Sequence, residues 1–174
     1  MEKILIIVDM QKDFVDGSLG TKEAQAIVPA VKKKIENFDG DIIFTKDTHG
    51  EDYMSTQEGQ NLPIPHCIKE TAGHEIIEEL QPYIKKSLAV FEKETFGSRK
   101  LANFLKELHK EKEIESIELI GLCTDICVVS NALLIKAFLP EVPISVDSKC
   151  CAGVTPEKHE SALEVMRSCQ IVIW

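Results

Sequence analysis

The chain has 174 residues, 44% of them hydrophobic and 28% charged, with 20 basic side chains against 29 acidic and a formal net charge of −9. That length and apolar content suit one domain, 1–174, with a sizeable core, while the acidic balance argues against nucleic acid or an anionic membrane as partner. No run approaches the ~20 apolar residues of a membrane span, and "MEKILIIVDMQ" does not read as a signal peptide because its apolar run Ile4–Val8 ends at once in Asp9, so a cytoplasmic setting is expected, with reduced thiols.

In chain order, "KILIIV" (3–8) is a continuous, β-branched apolar run, and "DIIFT" (41–45), "LAVF" (88–91), "IELIG" (117–121), "PISVD" (143–147) and "QIVIW" (170–174) look similar. Runs without alternation suit strands buried on both faces. Between them lie helical spacings. Ile27, Val31, Ile35 and Phe38 make one stripe, Ile76, Ile77, Leu80 and Ile84 a second, and Leu101, Phe104, Leu105 and Leu108 a third. Ser98 is placed to cap the third, and Thr155-Pro156 supplies a cap followed by Pro at the first helical position. Residues 125–138 and 156–168 complete the set, and 47–72 has no clear period. Strands alternating with helices predict a three-layer α/β/α sandwich around a mostly parallel sheet of about six strands.

In such sheets ligands bind beyond the carboxyl ends of the strands. The residues expected there are Asp9 after the first strand, Asp47 and His49 after the second, Lys93 after the third and "GLCTDICV" after the fourth. Cys123 and Cys127 admit four readings: a disulfide, a metal clip, packed core thiols, or one nucleophile. Reducing conditions disfavour the disulfide. A zinc clip lacks a second cysteine pair at ligand spacing. Cys127 falls in the first turn of a helix, with Thr124 or Asp125 as cap, where free N–H groups and a nearby Lys93 ammonium favour thiolate over thiol. The nucleophile reading is therefore preferred. Asp9 is then placed as general base and acid, Lys93 as the balancing charge, and the backbone N–H groups of Cys123 and Cys127 as an oxyanion hole.

Asp47 and His49, two apart, with His66 from "PIPHC", form a possible three-ligand metal site suited to Zn²⁺, with Fe²⁺ or Mn²⁺ as alternatives. The same three serve equally well as ordinary loop residues. His74, His109 and His159 are read as surface residues.

The ordered motifs "VDMQKDF", "TKDTH", "PHC", "FEK" and "GLCTDICV" span most of the chain. Together they resemble the isochorismatase-like cysteine hydrolases, the family of nicotinamidase/pyrazinamidase, isochorismatase and N-carbamoylsarcosine amidase. The resemblance implies an Asp9–Lys93–Cys127 triad, a cis peptide at Leu122–Cys123, a substrate-packing aromatic at Phe14, homo-oligomers, and a metal on Asp47, His49 and His66 that holds ring nitrogen and water. The pattern departs in three places. "NLPIPHC" lacks the Trp that usually precedes the histidine, Ile126 stands where Tyr is common, and "DTHG" replaces "DWHP". True isochorismatases dispense with the cysteine, so Cys127 argues against that reaction.

The expected activity is cysteine-dependent hydrolysis of a small amide through a thioester, with nicotinamide to nicotinate plus ammonia as the leading case. The alternatives are hydrolysis of ureido or carbamoyl compounds and, in a different class, a CxxxC thiol redox factor.

Overall fold

The computed structural model describes residues 1–174. Six parallel strands form one sheet, β1 (Glu2–Val8), β2 (Asp41–Asp47), β3 (Ala89–Lys93), β4 (Ile114–Leu122), β5 (Ile144–Ala152) and β6 (Val172–Ile173). Their order is β3-β2-β1-β4-β5-β6. The order of winding reverses between β1 and β4, which opens a crevice beyond their carboxyl ends.

The seven α-helical segments are α1 (Lys12–Val15), α2 (Lys22–Asn37), α3 (Gln57–Asn61), α4 (Gln81–Ile84), α5 (Arg99–Glu111), α6 (Val129–Phe138) and α7 (Pro156–Ser168). Alternation along β1 builds three layers. Ile4, Ile6 and Val8 join a core with Leu101 and Leu105 of α5, Ala132 and Ile135 of α6, and Leu163 and Met166 of α7. Leu5 and Ile7 point to the other face and join Ala24, Ile27, Val31 and Ile35 of α2. Burial on both faces is why β1 reads as an unbroken apolar run.

The expected caps are in place. Ser98 Oγ accepts from Leu101 N at 3.1 Å, and Thr155 Oγ1 from Lys158 N at 3.3 Å. Gly121 at the end of β4 has φ +115°, and a Cβ there would stand 2.2 Å from the Val8 carbonyl oxygen. Only glycine lets β4 come this close to β1.

Two expectations need correction. The stripe Ile76–Ile84 is not one helix. Ile76 bridges Gln11, and Ile77 N donates to Met10 O, so the backbone is spent on pairing before a short 3₁₀ turn and the single turn of α4. The C-terminal run pairs with β5 only from Val172 to Trp174, whose N donates to Val146 O, and leaves Val172 and Trp174 exposed at the sheet edge. No helix is long and apolar enough to cross a membrane.

Candidate active site

Parallel pairing carries the chemistry to one edge. Asp47 ends β2 and sits in register with Lys93, which ends β3. Asp9 follows β1 with φ +47°, a conformation rare outside glycine and tolerated by Asp. Cys127 lies in a π-helical turn, Thr124–Val128, that leads from β4 into α6. Lys93 Nζ stands 2.7 Å from Asp9 Oδ2, 3.3 Å from Asp47 Oδ1 and 3.3 Å from Cys127 Sγ. The expected triad is thus brought into contact, and all three members are buried.

Thr45 Oγ1 donates to Asp9 Oδ1 at 2.6 Å, while Oδ2 lies 2.7 Å from the Lys93 ammonium. Burial raises the Asp9 carboxyl above the ordinary carboxylate range, against the opposing charge of Lys93. Burial alone would strip Lys93 of its proton, but the charges of Asp9, Cys127 and Asp47 outweigh it and hold the ammonium. Burial, then the charge of Asp9, push the Cys127 thiol well up, against the pull of Lys93. Desolvation at this depth thus works against the pull of the helix start and of Lys93 toward thiolate.

The turn itself departs from expectation. Neither Thr124 nor Asp125 caps it, and no side chain does. The Leu122–Cys123 peptide is cis. All six cysteines are free, with Cys123 half-buried and Cys169 exposed.

Beside the triad, Asp47, His49, Glu58 and His66 bring four ligand atoms within 4.8 Å of one another. His49 Nε2 is 2.9 Å and His66 Nε2 3.5 Å from Asp47 Oδ2, and the two rings stand 3.7 and 3.6 Å from Glu58 Oε1. His66 Nδ1 donates to Ile64 O at 2.8 Å, which turns Nε2 toward the carboxylates. Two imidazoles and two carboxylates are a donor set for a divalent ion such as zinc. Asp47 is held well below the usual carboxylate range. Burial would raise it, but hydrogen bonds from His49 and His66 and the charge of Lys93 dominate.

Glu58 is a member that sequence reasoning missed. It lies in α3, inside the unpatterned 47–72 segment, and nothing local separates it from Glu51 or Asp52. Gln11 was missed too. Its Nε2 donates to the carbonyls of Asp47 (2.8 Å) and His74 (2.9 Å), and its Oε1 accepts from Asp47 N (2.7 Å). It stood inside the quoted "VDMQKDF", but no signal assigned it a role. Asn131, fully buried, accepts from Ser98 N and donates to the carbonyls of Phe96 and Cys127. The three histidines read as surface residues are not free. His74 is buried with Nε2 2.9 Å from Thr48 Oγ1, half-buried His109 accepts from Ile114 N, and half-buried His159 meets Thr124.

A cavity of about 750 Å³ opens onto Cys127, Asp47, Glu58 and His66. Phe14, Leu19, Leu62, Phe96, Ile126 and Val154 supply its apolar wall. The Phe14 ring lies 5.4 Å from that of His66, so the expected aromatic is beside the ligand cluster. Tyr53, at 5.0 Å, packs on His66 from the same segment that lacks the usual Trp.

A model of the isochorismatase domain matches residues 3–173, and the chain belongs to that family. An uncharacterised isochorismatase family protein of Bacillus subtilis is 31% identical over 175 residues, covering 94% of this chain and 93% of its own length. The nicotinamidase of Schizosaccharomyces pombe is 28% identical over 204 residues, with 97% and 91% covered. Among solved structures, the pyrazinamidase of Pyrococcus horikoshii in complex with zinc superposes with a TM-score of 0.82 at 29% identity, over 100% of this chain and 99% of that one.

Proposed function

We propose that this chain is a cysteine-dependent amidohydrolase that cleaves nicotinamide, or a close heteroaromatic amide, to the acid and ammonia. Its class is hydrolase of C–N amide bonds. The observation that carries the reading is one ammonium, Lys93, touching Asp9, Asp47 and Cys127, of which Asp47 and Cys127 line an apolar-walled cavity.

The steps follow from the residues. Asp9 takes the Cys127 proton as sulfur attacks the amide carbon. Lys93 offsets the charge that passes from carboxylate to sulfur. Backbone N–H groups of Cys123 and Cys127 receive the oxygen of the tetrahedral intermediate. Asp9 returns the proton to nitrogen as the C–N bond breaks and ammonia leaves. Asp9 then takes a proton from water, which adds to the thioester, and the thiol is restored as the acid departs. A divalent ion held by Asp47, His49, Glu58 and His66 would supply a Lewis-acidic anchor for a ring nitrogen and for water. Phe14 packs on the ring from the cluster side.

A ureido or carbamoyl substrate is the second reading and would call for a basic clamp. The cavity wall carries one lysine, Lys158, which favours the neutral aromatic amide. Ammonia release from nicotinamide by metal-replete protein, with Cys127→Ala beside it, tests the proposal. Release that vanishes in the variant is expected, and a folded, metal-replete wild type that releases none would remove nicotinamide as the substrate.

A further inference from the structure

An oxyanion hole needs backbone N–H groups that no protein oxygen already occupies. The turn Thr124–Val128 carries two side chains suited to occupy them. A Thr or Asp at the start of a helical turn readily accepts from the N–H two or three residues on. From either Thr124 or Asp125 that includes Cys127 N, whereas the N–H groups of Ile126 and Val128 already donate to Cys123 O. Yet neither side chain caps the turn.

Both are held elsewhere instead, Thr124 by α7 and Asp125 by the loop that leads into it. Thr124, fully buried, has its Oγ1 2.7 Å from His159 Nδ1. Asp125 Oδ1 accepts from Val154 N at 2.9 Å. The packing that allows this is tight: a Cβ on Gly153 would stand 2.7 Å from His159 N and 2.9 Å from Asp125 Oδ1. The link to Val154 is made by backbone. The link to Thr124 rests on one side chain, His159, which stays clear of substrate because the cavity wall includes Gly153, Val154 and Lys158 but not His159.

We propose that His159 is a positioning residue of the active site: it draws the Thr124 hydroxyl away from the nucleophile turn and so keeps the Cys127 N–H free for the substrate oxygen. This rests on the amidohydrolase reading above. Without His159 the buried hydroxyl has no partner on α7 and turns to the free donor of its own turn, the Cys127 N–H, because a buried unsatisfied hydroxyl is costly. The substrate oxygen then competes with a resident acceptor, and the loss falls on kcat, since the oxyanion forms only in the transition state.

The test is steady-state hydrolysis of nicotinamide by the full chain. His159→Ala is expected to lower kcat by about tenfold or more, with KM changed by less than about twofold. Adding Thr124→Val to that variant removes the competing oxygen and is expected to restore most of the lost kcat, which a merely structural role for His159 would not produce. His159→Asn, whose amide oxygen can still accept from the hydroxyl, is expected to stay near the wild type. Thermal unfolding checks each variant. If His159→Ala does not fold, His159→Phe, which keeps volume and lacks the acceptor, replaces it in the same pair. An unchanged kcat in His159→Ala, or a double variant as slow as the single one, overturns the proposal while leaving the function intact. A wild type that releases no ammonia overturns both.

Discussion

Two lysines of this chain each sit between two carboxylates, with a cysteine beside them, at nearly the same distances. Lys93 stands 2.7 Å from Asp9 and 3.3 Å from Asp47, next to Cys127. Lys34 of α2 stands 2.7 Å from Glu118 and 3.1 Å from Asp147, with Cys150 against Asp147. The pair statistics are alike, but the places differ. Lys93 and Asp47 end their strands and Asp9 follows its own, so the cluster faces the crevice, and Asp47 and Cys127 line a cavity. Glu118 and Asp147 lie within β4 and β5, under α2, and contribute nothing to that wall. Distance alone does not define a reactive centre. Position along a parallel strand decides whether a charged cluster meets a ligand or a helix.

The sharpest way to break this comparison is at the cysteines. Cys127→Ala is expected to reduce ammonia release by at least ~10⁴-fold, since nucleophile and base act as a unit. Cys150→Ala, with its thiol pushed up to about 12 by burial and by Asp147, is expected to keep turnover within twofold. Equal losses in a nicotinamide assay would erase the distinction.

The lysines come next. Lys93→Met strands two buried carboxylates and is expected to cost about 3 kcal/mol of stability together with ~10³-fold in kcat. Lys34→Met is expected to leave kcat within twofold and to cost about 1 kcal/mol, because its partners are partly solvated. Denaturant unfolding alongside kinetics reads both quantities.

Metal content separates the two clusters more gently. One divalent ion per chain is expected from elemental analysis, lost in Glu58→Ala and retained in Glu118→Ala. Acid should release it early. Burial lowers the affinity of His66 for its proton, but hydrogen bonds to Asp47 and Ile64 O outweigh this and raise it above the ordinary 6.5. Protons and an ion therefore compete for His66, so retention falls with pH, and dialysis at pH 8 and pH 6 followed by metal analysis checks the order of retention.

The smallest effect is alkaline. Burial would lower Lys34, yet hydrogen bonds to Glu118 and Asp147 raise it above the ordinary 10.5. A folded-state value above the unfolded one stabilises fully below pH 10.5, and that contribution disappears as pH climbs through the raised value. Melting curves from pH 9 to 12 should show an extra loss in the wild type that Lys34→Met lacks, while an identical loss in both would assign it elsewhere.

Much of this is written in local sequence. Apolar runs such as Ile4–Val8 declare strands buried on both faces, and that pattern survives in the structure because one residue alternation feeds two cores. Ser98 and Thr155 declare helix starts, since a cap needs only neighbours three residues away. The chemical residues were legible because parallel strands deliver whatever follows them to one edge, so Asp9, Asp47, Lys93 and Cys127 could be gathered before any distance was known. What only the tertiary structure decided depends on contacts between remote segments. Glu58 joins His49 and His66 because α3 folds across them, Gln11 braces Asp47 from 36 residues away, and the Thr124 side chain is spent on α7 rather than on its own turn. The resting state of Cys127 belongs to the same class, because a thiol's charge is set by desolvation and by the field of Asp9 and Lys93 in space, and neither quantity exists until the chain has closed around it.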